Sequence, residues 1–188
     1  AFDWVRNPNG SYTLNKITLP QYIDAPNNTM KTANTDWFKE VTQQAVSQSY
    51  DVSVARGSDK GGTVFSLDYT KNKGIVRTTE FQRISARLNS DYRLINDRLI
   101  IGENFTANTT REIGNNVQNA ALQSLPIIPV HTVDGKGWGG PWGGMNDRQN
   151  PVRLLEDNKQ NHYNFIRLFG NAYADLEVFK GFHLRSSI

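Results

Sequence analysis

Apolar and polar side chains alternate along much of the chain after residue 47. Alternation with a period of two places successive side chains on opposite faces of a β-strand, so that one face is apolar and the other is polar. The first such segment begins near Gln48 and ends at the glycine-bearing turn residues 56–62. Its apolar side carries Tyr50, Val52 and Val54.

The same alternation predicts five further strands, joined by short and long connections in turn. One residue departs from the pattern, because Glu103 falls on the apolar side of its strand. Turn signals separate several neighbouring strands at Lys71–Gly74, Asn96–Asp97 and Lys180–Gly181. The predicted strands are Thr63–Thr70, Ile75–Leu94, Arg98–Thr110, Ile166–Val178 and Phe182–Ile188.

Two parts of the chain lack this alternation. Residues 1–47 are rich in turn signals and contain one predicted short helix, from Asn34 to Val46, where polar residues before Trp37 suit a helix N-cap. Residues 111–160 have no clear period and are predicted to form a long loop. The predicted organisation is therefore a loop-rich segment with a short helix at 1–47, followed by β-strands at 48–188 that are interrupted by the loop at 111–160.

Strand length and loop length together favour a transmembrane β-barrel. A strand that crosses a membrane needs about 9–11 residues, and three of the predicted strands are longer than this. Outer-membrane barrels have short turns on one side and long loops on the other, whereas long structureless loops are uncommon in compact domains. Alternation alone is equally compatible with a soluble β-sandwich whose apolar face packs in a core, so the pattern leaves both folds open.

Composition argues against several classes of function. The chain has no cysteine, and its net charge of +3 comes from interspersed charges, so it offers neither a thiolate site nor the basic stripe of a nucleic-acid-binding protein. Its three histidines lack the spacing of zinc ligands. No nucleophile elbow or phosphate-binding loop is present, so a secreted hydrolase has no sequence support. We therefore expect no enzyme activity, no cofactor and no metal site.

Several stretches resemble, in order, the SusC/RagA-like TonB-dependent transporters of Bacteroidetes outer membranes. The first is Asn34-Thr-Asp-Trp37, which is followed by a strand at 48–54 and a glycine-bearing turn. The resemblance covers nearly all of residues 34–188 and rests on the ordered series, because no single element is specific. The further elements are Phe65–Tyr69, Phe81–Asn89, Asn150-Pro151, Phe165–Tyr173 and Lys180–Phe182.

The resemblance implies an all-β fold of antiparallel, up-and-down strands that forms part of a transmembrane β-barrel, with one short helix and a long extracellular loop. The chain would be an internal segment of a transporter of about 22 strands, whose plug and TonB-contacting segment lie elsewhere in the polypeptide. The implied function is TonB-driven import of glycans, oligosaccharides or peptides across the bacterial outer membrane, with a SusD-like surface lipoprotein as partner. The alternative is a soluble carbohydrate-binding β-sandwich module.

Trp138 and Trp142 are the candidate ligand-binding residues. They lie in a glycine-rich segment, where flat aromatic rings beside accessible backbone suit contact with sugar rings. Packing within the loop or at the membrane interface is the alternative. Nearby side chains carry oxygen atoms suited to a hard cation, although solvated loop residues are the simpler interpretation of Asp134, Asn146 and Asp147.

Four polar residues share one side of the third predicted strand. The resemblance implies that they line the lumen of the barrel or contact its plug, and ordinary pairing between strands is the alternative. These residues are Arg83, Arg87, Asn89 and Asp91.

Overall fold

A computed structural model describes Phe2–Met145 and Asp147–Ile188. No helix among these residues has the length and hydropathy needed to cross a membrane. The elements in chain order are β1 (Phe2–Arg6), β2 (Tyr12–Ile17), α1 (Trp37–Val41), β3 (Ser47–Ser58), β4 (Gly61–Lys73), β5 (Glu80–Leu94), β6 (Leu99–Ile113), α2 (Gln118–Gln123), α3 (Pro151–Asn158), β7 (Tyr163–Phe179) and β8 (Phe182–Ser187).

The chain forms two compact units. The first comprises the residues up to Gln43 together with Asn115–Asn158, and the second comprises Gln44–Gly114 and Lys159–Ile188. This differs from the long loop predicted at 111–160, because β6 continues to Ile113 and the following segment contains α2 and α3. That segment folds with the N-terminal part of the chain.

A six-stranded antiparallel sheet makes up most of the second unit. Its strands β3 to β8 occur in the sheet in the same order as in the sequence. The predicted all-β, antiparallel, up-and-down arrangement is thereby confirmed. Apart from the β1–β2 hairpin, the described residues form this one sheet, which differs from the two packed sheets of the alternative β-sandwich.

In its middle rows, one face of the sheet, called the apolar face below, is built mainly from small and apolar side chains. These side chains are not buried in a core, since Val52 and Leu168 are each 65% exposed. An exposed apolar sheet face is the surface that the wall of a membrane barrel presents to lipid. Its central cross-strand row contains Val52, Leu67, Ala86, Ala107 and Leu168.

Glu103 lies on this apolar face, as the sequence pattern indicates. It stands directly opposite Ser90 in the register of β5 and β6. The Ser90 hydroxyl donates a hydrogen bond to the Glu103 carboxylate. The exception to the pattern is therefore a pair of polar groups that satisfy each other.

The tight turns along one edge of the sheet are staggered in a regular way. The β3–β4 turn lies level with Tyr92, and β5 continues two residues further, to Leu94, before its own turn. The start of β6 lies level with Leu176, and β7 continues three residues further, to Phe179. Successive turns are therefore offset by two or three residues for every two strands that are crossed. With a rise of about 3.4 Å per residue and about 4.8 Å between strands, this offset corresponds to strands tilted by roughly 40° from the perpendicular to the line of turns. Outer-membrane barrels have tilts of about 35–45°.

Two elements are shorter than predicted. β5 begins at Glu80 and not at Ile75, because Thr78 has a φ of 68°, a left-handed conformation that interrupts a strand. The helix begins at Trp37 and not at Asn34, because the Asp36 carboxylate caps it by accepting a hydrogen bond from the backbone N–H of Lys39 at 3.1 Å.

Residues from both parts of the first unit form its core. Asp24, which is 1% exposed, is buried beside this core and accepts hydrogen bonds from the backbone N–H groups of Thr29 and Met30, each at 2.9 Å. The buried apolar residues are Ile23, Met30, Trp37, Val41, Val117, Ala121, Ile128 and Leu155.

Candidate functional site

Four polar residues of β5 project from the side of the sheet opposite to the apolar face. Arg83, Arg87, Asn89 and Asp91 occupy alternate positions of the strand, so their side chains share one side, called the polar face below. The structure therefore brings together the four residues that the sequence suggests as lumen or plug contacts. The central cross-strand row of the polar face contains Asp51, Asp68, Ser85, Asn108 and Arg167.

Charges on the polar face are incompletely paired within the part of the chain that the structure describes. Asp51 and Asp68 stand directly opposite each other on β3 and β4, and like charges in this position destabilise a sheet. Arg83 and Arg87 are the diagonal neighbours of Asp68 on β5, yet neither forms an ion pair with a described residue. The face thus offers both donors and acceptors to a group outside the chain.

A groove of about 370 Å³ lies on the polar face close to the β3–β4 turn. Gly57 and Gly62 stand opposite each other at this point, and their missing side chains open the surface. Asn89, Asp91 and Asn104 line the groove. Each of these three residues carries a side-chain acceptor, and the two asparagines are also donors.

Tyr173 lines the β7 side of this groove. Its ring lies over Gly102, where an added Cβ atom would come within 2.6 Å of the ring carbons. The guanidinium carbon of Arg185 lies 4.3 Å from the centroid of the same ring, within the range of a cation–π contact. The Tyr173 ring therefore packs against both neighbouring strands.

The two candidate ligand-binding tryptophans lie in the first unit and differ in exposure. Trp138 pairs with His131 in an isolated β-bridge, and the centroids of the two rings are 4.5 Å apart. Trp138 is half-buried and therefore packs within its loop. Trp142 is 40% exposed, which leaves a substantial part of its ring open to a ligand.

The oxygen-bearing residues near these tryptophans do not form a cation site in the described residues. Asp134 accepts hydrogen bonds from the Thr132 hydroxyl at 2.6 Å and from the Lys136 backbone N–H at 3.1 Å, and these bonds lower the pKa of its carboxyl. Its carboxylate thus closes a turn. Asp147 is highly exposed, Asn146 lies outside the described residues, and the part of the chain that is described holds no cluster of three or more metal-ligating side chains.

Comparison with known proteins assigns the chain to a family. No protein-family model matches it, but the TonB-dependent receptor SusC of Bacteroides thetaiotaomicron is 31% identical over 173 residues, covering 77% of this chain and 16% of SusC. The TonB-dependent receptor P26 of Formosa agariphila is 29% identical over 176 residues, covering 88% of this chain and 17% of P26. The chain belongs to the SusC-like TonB-dependent receptors. It spans less than a fifth of the length of these relatives.

Solved structures share the fold of this SusC-like chain. The structure of the RagAB peptide transporter matches it with a TM-score of 0.64 at 20% identity, over 82% of this chain and 18% of that chain. The RagAB peptide importer in its open-open state matches with a TM-score of 0.62 at 18% identity, over 87% of this chain and 19% of that chain. The six-stranded sheet is thus an outer-membrane barrel fold, and the relatives are receptors and transporters, not enzymes.

The Asn34-Thr-Asp-Trp37 element of the SusC-like sequence joins the two parts of the first unit. The Thr35 hydroxyl donates a hydrogen bond to the carbonyl oxygen of Ile128 at 2.7 Å, and the indole N–H of Trp37 donates to that of Leu125 at 3.0 Å. Trp37 is only 4% exposed. The residue types of this element are therefore explained by contacts with a segment almost 90 residues away in sequence.

The Asn150-Pro151 element of the SusC-like sequence has a comparable structural role. The Asn150 side-chain oxygen accepts hydrogen bonds from the backbone N–H groups of Val152 and Arg153 at the start of α3. Its amide N–H₂ donates to the carbonyl oxygens of Val130 and Gly139, both at 2.9 Å. One buried side chain thus caps a helix and holds the surrounding loop.

Sequence reasoning missed the glycine groove and Tyr173. In the sequence, Gly57 and Gly62 are interpreted as turn residues, and Asn104 is one of many polar positions in its strand. The signal that was present is glycine inside a paired strand, which marks a place where another group approaches the backbone closely. Only the strand register shows that these glycines stand beside Asp91.

Proposed function

We propose that this chain forms part of the wall of an outer-membrane importer that works with TonB. The observation that carries the proposal is the two-faced sheet, in which an exposed apolar face, a charged polar face and a strand tilt of roughly 40° occur together. In a barrel wall the apolar face contacts lipid, and the polar face contacts the lumen or the plug. TonB is contacted through parts of the protein outside these 188 residues.

The proposed cargo is a glycan, an oligosaccharide or a peptide, delivered with a SusD-like lipoprotein on the cell surface. The related RagAB structures are named for a peptide transporter, and the sequence relatives are the TonB-dependent receptors SusC and P26. Trp142 is the proposed aromatic contact for the ligand, because it is exposed. Trp138 supports the same loop through its contact with His131.

Arg83, Arg87, Asn89 and Asp91 are the proposed contacts with the lumen or the plug. Arg83 and Arg87 have charges without ion-pair partners among the described residues, and Asn89 and Asp91 lie in the groove. A plug or a solvated lumen satisfies such groups, whereas lipid does not. These observations support the proposal that the polar face points to the interior of the barrel.

A paired charge substitution tests the wall assignment in the full transporter polypeptide. Leu168→Arg places a charge on the apolar face, at a cost of about 2–4 kcal/mol if that face meets the middle of the bilayer. Ser53→Arg places the same side chain on the polar face, opposite the neutral Ser66, at no lipid cost. We expect the first variant to lower the yield of heat-modifiable protein in the outer membrane and the second to leave it unchanged.

If the chain were instead a soluble β-sandwich module, the two arginine variants would not differ in this way. A detergent-free monomer in the soluble fraction, with both arginine variants tolerated equally, would contradict the wall assignment. TonB-dependent uptake of a labelled substrate by cells that carry the unmodified protein then tests the transport step separately.

A further inference from the structure

The glycine-rich segment around Trp138 and Trp142 consists of two parts that are held very differently. Residues 129–140, called the base below, are bonded to the rest of the first unit. Residues 141–145, called the tip below, have no hydrogen bond to the rest of the described chain. We propose that the tip is hinged, so that the Trp142 ring changes its position while Trp138 stays fixed in the base. The inference rests on the proposed function, because it makes Trp142 the adjustable half of the proposed ligand contact.

The base is a small hairpin whose two sides are paired. The backbone N–H of Thr132 donates a hydrogen bond to the carbonyl oxygen of Gly137, and that of Gly139 donates to the carbonyl oxygen of Val130, both at 3.0 Å. An added Cβ atom at Gly139 would overlap a backbone carbonyl oxygen of the opposite side, so the two sides are in close contact. Trp138 lies between these paired positions, and its backbone is therefore held on both sides.

Three further hydrogen bonds attach the base to its surroundings. The Asn150 amide donates to both sides of the hairpin, at the carbonyl oxygens of Val130 and Gly139. The backbone N–H of Gly140 donates to the sulfur atom of Met30 at 3.3 Å. Asn150 and Met30 are only 6% and 8% exposed. Movement of the base would therefore break hydrogen bonds to buried groups, which is costly.

The tip lacks attachments of this kind. Its hydrogen bond is local, from the backbone N–H of Met145 to the carbonyl oxygen of Trp142 at 3.3 Å. The Trp142 ring is 40% exposed and has no aromatic or cation–π partner among the described residues. Segments with few contacts and an exposed backbone change conformation at little cost in free energy.

Glycines on both sides of Trp142 supply the backbone freedom that a hinge needs. Gly140 precedes the tip, and Gly143 and Gly144 follow the ring with φ values of 54° and 84°. Nothing lies within 4 Å of an added Cβ atom at any of the three, so the space around them is open to movement. Glycine populates positive and negative φ about equally, whereas Pro141 has a fixed φ. Rotation of the tip therefore falls on the glycines.

A fixed ring and an adjustable ring have different uses in one ligand contact. Trp138 is held by its neighbours, including the His131 ring at 4.5 Å between centroids, and presents a preformed surface. Trp142 can follow the shape of what lies beside it, at the entropic cost of ordering the tip when a ligand binds. The different environments of the two tryptophans thus correspond to two roles.

Fluorine NMR compares the mobility of the two rings in the full transporter in detergent, labelled with fluorinated tryptophan. Trp138→Phe and Trp142→Phe identify the two signals by their disappearance. Slow tumbling of the whole protein broadens the signal of a fixed ring, whereas loop motion on the nanosecond timescale narrows it. We expect the Trp142 signal to be about threefold narrower than the Trp138 signal.

Substitution of the hinge glycines tests the cause of this mobility. The double variant Gly143→Ala and Gly144→Ala restricts both left-handed positions and is expected to broaden the Trp142 signal about twofold. Gly135→Ala is the matched control and is expected to leave the signal unchanged. Gly135 also has a positive φ, of 70°, and open surroundings, but it lies in the turn of the base.

Two results would overturn the inference. One is a Trp142 signal as broad as that of Trp138, and the other is a Trp142 signal that the double variant leaves unchanged. The linewidths are measured without a ligand, so they test the hinge alone. Substrate uptake by cells that carry Trp142→Phe tests the proposed ligand contact separately, which keeps failure of one distinguishable from failure of the other.

Discussion

The ring of Tyr173 on β7 lies directly over the backbone of Gly102 on the neighbouring strand β6. A Cβ atom at Gly102 would come within 2.6 Å of the ring carbons, so the two residues fit only because one of them lacks a side chain. The reverse arrangement occurs on the apolar face, where β6 supplies the ring and β7 the glycine. The ring of Phe105 lies 3.2 Å from the position that a Cβ atom at Gly170 would occupy. Aromatic rings over glycines thus fix the β6–β7 pairing on both faces.

Gly102→Ala is predicted to destabilise the sheet. The added methyl group must displace Tyr173, and overpacking of this kind costs about 1–3 kcal/mol. Urea unfolding of the full protein in detergent, followed by loss of heat-modifiability, measures the effect. Gly114→Ala is the control because its surroundings are open. Equal unfolding midpoints for the two variants would show that Tyr173 does not depend on Gly102.

Trp37→Phe is predicted to loosen the first unit. It removes the donor that binds the Leu125 carbonyl oxygen at 3.0 Å, at a net cost of about 0.5–1.5 kcal/mol. Trp142→Phe is the matched control, because Trp142 is 40% exposed and surface substitutions usually change stability by less than about 0.5 kcal/mol. Hydrogen exchange of the segment around Leu125 is expected to increase in the first variant alone. Unchanged exchange there would contradict the proposed role of Trp37.

Two substitutions of Asn150 are predicted to separate its two functions. Asn150→Ser keeps a neutral side-chain acceptor that can cap α3 but loses the amide donors to Val130 and Gly139. Asn150→Ala loses both, and loss of an N-cap alone costs about 0.5–2 kcal/mol. We therefore expect alanine to lower the thermal midpoint more than serine does. The reverse order would show that the cap contributes little.

Asp24 is predicted to make the first unit sensitive to acid. Burial raises the pKa of Asp24. The hydrogen bonds from the Thr29 hydroxyl and from the backbone N–H groups of Met30 and Thr29 together lower this pKa by more than burial raises it, so that it lies below its ordinary value of 3.8. A carboxyl with a depressed pKa stabilises the fold above its unfolded-state pKa, and this contribution is lost as the pH falls through the folded-state pKa.

Asp24→Asn is therefore expected to lower the thermal midpoint at pH 7 and to flatten its decrease below about pH 4. Asp147→Asn is the control, since that side chain is 94% exposed. Thermal midpoints from pH 2.5 to 7 measure both variants. A steep acid loss that persists unchanged in Asp24→Asn would assign the acid sensitivity to other groups.

The strands were predictable because their signal is local. Alternation along Tyr50–Val54 and along β7 is read directly from the sequence, and even the exception at Glu103 is visible there. The start of β5 was not predictable, because the left-handed conformation of Thr78 is unusual for a β-branched residue.

The fold of the first unit and the groove on the polar face could not be predicted from the sequence, for a different reason. Trp37 and Leu125 are 88 residues apart, and no periodicity reports a contact of that range. Asp91 acquires its glycine neighbours only through the register of three strands. The four residues of the polar face could be grouped in advance because they lie on one strand, whereas the groove combines residues from several.

The wall assignment is tested most directly by the accessibility of β7 in lipid. The 188 residues contain no cysteine, so single cysteines with spin labels can be placed from Ile166 to Val178 in the full protein, with any other cysteines replaced, reconstituted in vesicles. We predict oxygen accessibility that alternates with a period of two, high at Ile166 and Leu168 and low at Arg167 and Phe169. Uniform accessibility, or alternation with the opposite phase, would contradict the account of this sheet as a membrane wall.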